Sequence, residues 1–481
     1  MRVAKALAAA AATAVLVGAG PAPSPDTSWF VIVADGGAVI GYASSQTTVG
    51  PTGRETVQTQ ELTLREEGAS ATRVSETTVR REDKAGRTLA ISSRSRTGRS
   101  WVRTDVKFTA DRAEITRETP SDRRTTVVRL PPGVRVDAGD GLLKTWDPAT
   151  HPRLSFEALS IDGATVDRVT IEPAPGAVRD DSGGLTVIRR RFEGDDLRGI
   201  SRLLLDRDNR IVAVVQPMFG STITIRASDR AMALQPRPPY RVLANVMTRS
   251  PFRISDTAAG GQIRYRFGFR DGLEFGLPRT GEQRVTEMNG TTVLDICAGC
   301  GPGLPDDPKT LAHALRPTAW LQSDHPRLKR IVGPVARLDI SDARKMEMLE
   351  SRARPYLRRI DFAGHFSALE TLSRRSGDCT EAAVLLAAMG RAAGIPTRVV
   401  NGLVYSRERY HGVGNVFMPH SWVLAYVDGN WRSYDAALEG FDSTHIALTI
   451  GDGDARSVLA AGQLGSLLQW ESMAEVRARP G

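Results

Sequence analysis

From about Asp26 to about Gln235 the sequence never settles into a helical period, and this constrains the fold more than any other feature. Short runs rich in Thr, Val and Arg alternate polar with apolar residues, the pattern of strands with one wet face. Ser28 to Val33 leads through Asp35-Gly36-Gly37 into Ala38 to Tyr42, a strand, a tight turn and a strand. Runs at Glu55 to Leu64, Ser70 to Val79, Thr88 to Ser95, Trp101 to Phe108 and Thr125 to Leu130 follow at the spacing of an antiparallel meander. Pro131-Pro132-Gly133 breaks the series, and a second set includes Leu185 to Phe192 and Arg210 to Val215. Residues 26–235 therefore read as an antiparallel β-rich domain, in two strand sets without a clear sequence repeat. No catalytic constellation appears in it, so it reads as a binding or spacing module.

The proline-dense Leu234 to Tyr240 reads as a linker. Beyond it, over residues 241–481, strands near Gln262 to Arg270 and Gln283 to Leu294 give way to helical patterns at Lys309 to Leu315, Asp342 to Arg354 and His365 to Ser373. The fold class predicted for the chain is α+β, with the β-rich domain first and a mixed domain second.

At 481 residues, 41% hydrophobic and 25% charged, the chain has material for two sizeable cores. The net charge of +9 comes almost wholly from 57 Arg against seven Lys. These Arg residues are scattered among Asp and Glu, and no nucleic-acid motif accompanies them, so they read as a solvated surface and no nucleic-acid partner is expected. Arg2 and Lys5, the small apolar run Ala6 to Val17 and the small residues Gly18 to Ala22 form the pattern of a secretory signal over residues 1–22. The expected location is periplasmic or secreted, with membrane contact only if that segment stays uncleaved.

Three cysteines sharpen the reading. Cys297 and Cys300 share a Gly-rich turn, and such a pair tends to oxidise outside the cytoplasm, so a disulfide is expected between them. Cys379 is left odd, and an odd cysteine in an exported chain is an intermolecular link or a reactive thiol. With no second Cys pair and no His-x-x-x-His, no metal and no cofactor are expected.

Cys379 opens an Ala- and Leu-rich run that is apolar around its whole circumference, as in a buried helix. Gly377-Asp378 mark its start, and Gly394 and Pro396 its end. A helix N-terminus favours thiolate over thiol, and its backbone N–H groups can hold an oxyanion. A strand over Thr397 to Tyr405 follows, then a loop to Pro419. Next comes a hairpin, His420 to Val427 and Asn430 to Asp435, around an Asp428-Gly429 turn. With those two turn residues Val427 faces Asn430, and counting back places Asp435 diagonal to His420 on the same face. A cysteine on an apolar helix is ordinarily inert and a lone strand histidine is ordinarily structural. Thiol, base and base-orienting carboxylate in this order point instead to acyl transfer by Cys379, His420 and Asp435.

Gly377-Asp378-Cys379-Thr380-Glu381, Gly394-Ile395-Pro396-Thr397-Arg398, His420-Ser421-Trp422 and Trp431 to Asp435 resemble the signature of the bacterial periplasmic transglutaminase-like superfamily. The resemblance extends over residues 290–450, with its motif core at 340–450, and Trp29 to Tyr42 looks like the start of the β-rich domain often placed ahead of this module. It implies a papain-like α+β fold with a Cys nucleophile, a His base and an orienting Asp. Ser421, Leu424, Ala425 and Ala436 depart from the usual residues, and none removes a catalytic group. Trp422, Tyr405 and His411 are candidate substrate-lining residues, each with a structural alternative in the core or an exposed loop. The expected function is cysteine-dependent acyl transfer on amide bonds of a protein or peptide substrate, cell-envelope substrates included, through a Cys379 thioester. Hydrolysis is the favoured outcome. Cross-linking of Gln to an amine and a non-catalytic envelope scaffold are the alternatives.

Overall fold

The computed structural model describes residues 27–65, 71–98, 100–136, 139–218, 221–241, 248–250, 252–288, 290–357, 365–407, 414–438 and 440–476. The expected signal segment 1–22 and the candidate His411 lie outside them. The chain divides into two compact units, with the division between Leu243 and Ala244.

The first unit is antiparallel sheet. Its first eight strands are β1 (Thr27–Val33), β2 (Val39–Gly50), β3 (Gly53–Arg65), β4 (Thr72–Asp83), β5 (Thr88–Thr97), β6 (Ser100–Phe108), β7 (Arg112–Glu118) and β8 (Arg123–Arg129). Six more follow the Pro-Pro-Gly break: β9 (Leu154–Ser160), β10 (Thr165–Pro173), β11 (Leu185–Glu193), β12 (Asp196–Leu205), β13 (Ile211–Met218) and β14 (Ser221–Ser228). Each set is a meander, and β14 pairs with β1 to join them into one sheet, which the short β15 (Tyr240–Arg241) joins in parallel beside β3. Gly36 and Gly37 both have φ near +75°, which is why a Gly-Gly pair makes the β1–β2 turn. Apolar residues of the inward face, such as Ile32, Leu62 and Leu64, are buried, while many of their alternating neighbours meet solvent.

The second unit mixes helices and two sheets. One sheet holds β16 (Thr248–Arg249), β20 (Thr397–Ser406), β21 (Val416–Val427), β22 (Asn430–Tyr434) and β23 (Ile446–Gly451). The other holds β17 (Ile263–Phe269), β18 (Gln283–Met288), β19 (Thr291–Ile296) and β24 (Leu468–Glu475). Besides a short one at Asp256–Gly260, the helices are α1 (Pro308–Leu315), α2 (Pro326–Ala336), α3 (Asp342–Ala353), α4 (Ala368–Arg374), α5 (Cys379–Ala392) and α6 (Ala455–Leu467).

Helix α5 lies at the centre. Leu328, Val332, Met346, Leu349, Leu369 and Leu372 of three other helices close on it, and Val423 and Ala425 of β21 cover its remaining side. The opposite face of β21 presents Trp422 and Leu424 to Val400, Trp431, Ala447 and Ile450. Both faces of β21 are thus covered, which accounts for apolar Leu424 and Ala425 together. Small residues let α5 sit close: a Cβ on Gly390 would stand 2.6 Å from Thr397 Cγ2.

Three local expectations change. Gln283 to Leu294 is a hairpin, β18 and β19, because Gly290 turns the chain at φ +75°. Strand β21 begins at Val416 rather than His420. Its Pro419 lies where β20 alone flanks the strand, between the stretches paired with β16 and β22, and such an edge-like position tolerates a missing N–H. Helices α2 and α6 are additional. Pro334 inside α2 obscures its pattern, but Pro326 at its start and the His325 cap define the N-terminus.

Candidate active site

Asp378 caps α5. Its carboxylate accepts from the Thr380 and Glu381 amides, while Glu381 Oε2 accepts from Asp378 N at 2.9 Å, a reciprocal capping box. Glu381 Oε1 also accepts from Phe366 N at 3.1 Å, which ties the approach to α4 onto the same helix end. Gly377 is required here, since a Cβ would stand 2.5 Å from Glu381 Cβ. This construction places Cys379 at the first position of α5, 5% exposed, with Sγ 3.9 Å from Asp378 Oδ1. Because the cap takes the Thr380 and Glu381 amides, those two do not serve an oxyanion, contrary to the simplest reading of a helix end.

The hairpin has the expected register. Val427 pairs with Asn430 and Val423 with Tyr434, and Asp428 and Gly429 both have positive φ, as a two-residue turn of this kind demands. Asp435 follows β22 directly and accepts a hydrogen bond from His420 Nε2. Its Oδ1 accepts from the Ala437 amide at 2.8 Å and the Leu438 amide at 3.1 Å. His420 and Asp435 are 3% and 1% exposed. Burial pushes the Asp435 carboxyl up, but the charges and hydrogen bonds of His420 and His445 outweigh it and hold the group well below the usual carboxylate range.

His445 is the residue that sequence reasoning missed. Its Nε2 lies 3.2 Å from Asp435 Oδ2, the oxygen that also receives His420, and its Nδ1 lies 3.0 Å from Asp442 Oδ1. Burial opposes its charge, yet the hydrogen bonds and charges of Asp435 and Asp442 prevail and raise it to about 9. The two imidazoles and Asp435 offer ligand atoms within 4.8 Å of one another, a donor set that suits zinc. Here, however, one carboxylate oxygen serves both Nε2 atoms and His445 Nδ1 faces Asp442. The donors satisfy one another as a hydrogen-bonded chain.

Trp422 is buried at 2%, donates from Nε1 to Ser433 Oγ at 3.3 Å, and stacks on His420 at 6.1 Å while meeting the edge of His445 at 5.1 Å. It walls the imidazole pair. Tyr405 donates to Asn415 Oδ1 at 2.6 Å, accepts from the Ile254 amide at 3.2 Å and lies against Phe417, so its contacts belong to a core cluster with Tyr265 and Trp470.

Cys297 and Cys300 form a disulfide with Cα atoms 5.3 Å apart, and Cys379 is the remaining, buried thiol. The Cys297 amide donates to Glu282 O at 3.1 Å, and the Glu282 carboxylate receives the amide and hydroxyl of Ser433, the residue that holds Trp422. Among the described residues no helix is long and apolar enough to cross a membrane.

Residues 342–436 match the model of the Transglutaminase-like superfamily. No curated protein matches the chain. Among solved structures it is similar to a candidate cysteine protease from Cytophaga hutchinsonii, at 17% identity and TM-score 0.29, over 46% of this chain and 88% of that one. It is also similar to a β-barrel-like protein of unknown function from Brucella abortus, at 12% identity and TM-score 0.33, over 42% of this chain and 95% of that one. A third is the periplasmic domain of TgpA from Pseudomonas aeruginosa bound to ethylmercury, at 14% identity and TM-score 0.24, over 56% of this chain and 71% of that one.

Proposed function

The second unit contains a transglutaminase-like core, and on that premise we propose that the protein is an exported cysteine-dependent amide hydrolase acting on a protein or peptide. The observation that carries the reading is the His420–Asp435 hydrogen bond, in a chain whose remaining thiol opens the central helix.

Asp435 accepts at His420 Nε2, so proton exchange with the thiol runs through Nδ1. In the proposed cycle Nδ1 takes the Cys379 proton and the thiolate attacks the amide carbonyl. The tetrahedral adduct collapses as the C–N bond breaks, the same proton passes to the leaving amine, and a Cys379 thioester remains. His420 then takes a proton from water, hydroxide adds to the thioester, and the carboxylic acid departs as the thiol is restored. The Cys297–Cys300 disulfide supports an oxidising, extracytoplasmic setting.

The test is iodoacetamide labelling of the mature protein between about pH 5 and pH 9, mapped by mass spectrometry, beside His420→Ala. Rapid labelling of Cys379 that slows in His420→Ala supports the pair. An inert Cys379 points to a scaffold. Incorporation of a labelled primary amine into a Gln-containing acceptor, with release of ammonia and in place of hydrolysis, would assign cross-linking instead.

A further inference from the structure

His445 has no part in the three-residue mechanism, yet it is 2% exposed and both of its ring nitrogens face acidic oxygens. Nε2 lies 3.2 Å from Asp435 Oδ2, and Nδ1 lies 3.0 Å from Asp442 Oδ1 and 3.1 Å from Asp442 O. A carboxylate only accepts, so Nε2 must present a proton to Asp435. At Nδ1 the Asp442 amide is a donor at 3.2 Å, but two acceptor oxygens, Asp442 Oδ1 and O, lie closer and favour a second proton, and a ring with two N–H groups is an imidazolium.

The surroundings hold this arrangement. The Thr444 amide and hydroxyl donate to Asp442 Oδ1 at 2.9 and 2.6 Å, which aims the carboxylate. The His445 ring is perpendicular to Trp422 at 5.1 Å and lies against Phe441 at 5.0 Å. Strand β23, which begins at the next residue, pairs with β20 through Ile446 and Leu403, so the sheet itself delivers His445 to the far side of Asp435.

We propose that His445 is a positioning residue of the site: a buried imidazolium, anchored on Asp442, that fixes the Asp435 carboxylate and takes a share of its charge from His420. This rests on the hydrolase reading above. An unshared carboxylate would hold the His420 proton tightly and make it a reluctant acid toward the leaving amine. A shared one leaves His420 able both to take and to give the proton near neutrality. Asp435, Asp442 and protonated His445 together carry a net charge of −1. Other ionisable groups facing the cluster are His420 itself, Tyr265 of β17, whose hydroxyl donates to Ser443 O, and Glu350 of α3, which acts on Asp435 and is paired with Arg354.

Two substitutions move the cluster charge in opposite directions. His445→Gln keeps a donor for Asp435 and takes the charge to −2, while Asp442→Asn takes it to 0. The readout is the pH profile of Cys379 alkylation by iodoacetate, whose carboxylate is drawn to a protonated His420, so the alkaline limb reports loss of that proton. The limb is expected to rise by about 1 pH unit in His445→Gln and to fall by a similar amount in Asp442→Asn, since the His445 ring lies 5.6 Å from that of His420 and a unit charge at that range is felt at about that size. In parallel, histidine-ring 15N resonances of the unsubstituted protein should show both His445 nitrogens protonated at pH 7. A neutral His445, or limbs that stay in place or move together in the two variants, overturns the proposal while leaving a His420-dependent thiol intact. A wild-type profile with no dependence on His420 overturns this proposal together with the hydrolase reading. If His445→Gln folds poorly, the 15N measurement and Asp442→Asn still decide.

Discussion

Replacing Asp435 with Asn removes one charge and barely changes shape, and the structure dictates how the amide must sit. Oδ1 faces the amides of Ala437 and Leu438, so the Asn oxygen stays there and its NH2 turns toward His420 and His445. A donor then meets Nε2 of both rings. His420 must give up its Nε2 proton and carry it on Nδ1, the nitrogen that should accept from the thiol, and His445 loses one of its two carboxylate partners. A wrong tautomer of this kind costs about 10^4-fold in turnover in comparable triads. Two charge-assisted hydrogen bonds in a buried site are lost as well, worth about 4 kcal/mol together after the Asn amide recovers part of the contact. For a unit of this size that lowers Tm by about 8–16 °C. Calorimetry and timed Cys379 alkylation at pH 7 check both numbers. A variant that melts within about 2 °C of the parent and labels within about threefold of it would refute the claim that Asp435 fixes the imidazoles, since surface-like changes alone stay in that range.

Stability should also fall on the alkaline side. His445 is raised to about 9 by Asp435 and Asp442, against the opposing effect of burial. Its contribution is therefore complete below its unfolded value near 6.5 and lost as pH rises through about 9, about 3 kcal/mol in all, and urea denaturation between about pH 6 and pH 10 should show it. Asp435 acts at the other end: held below the usual carboxylate range, it contributes above about pH 4 and its share is lost on further acidification, which the same titration carried downward checks. Gly377→Ala should cost about 2 kcal/mol, because the new methyl displaces Glu381 from the Asp378 and Phe366 amides, and both Tm and Cys379 labelling should drop. Replacing Cys297 and Cys300 with Ser should cost only about 2 kcal/mol, since the loop they close is very short, and a fall in Tm much beyond about 8 °C would contradict that reasoning.

The local parts of the site are those the sequence makes legible. Helix α5 is announced by its cap, its apolar circumference and Gly394, and the Asp-Gly turn alone determines which face His420 and Asp435 share. Each of these signals lies within a few residues of its consequence. His445 is different. It precedes a short apolar strand, Ile446–Gly451, whose neighbour β20 lies some forty residues upstream, and nothing in the local pattern says that β23 pairs there. The Asp442 contact, three residues away, carries a weak local signal that becomes interpretable only once Asp435 is seen on the other side. The turn at Gly290 is the contrary case: a Gly-bearing hairpin signal lies inside a run whose apolar pattern alone suggests one continuous strand.

On the proposed function, in which an exported chain uses Cys379 as nucleophile, the disulfide bears on how that thiol survives maturation. Three thiols entering an oxidising compartment can pair in three ways, and two of those pairings would consume Cys379. Cys297 and Cys300 are separated by 3 residues, whereas either lies roughly eighty residues from Cys379. Ring closure falls off as about the 3/2 power of length, so the short ring should form about 100-fold more readily in the unfolded chain. In that setting the neighbouring pair would act as a kinetic decoy, consuming the oxidant first and leaving Cys379 reduced as the helix folds.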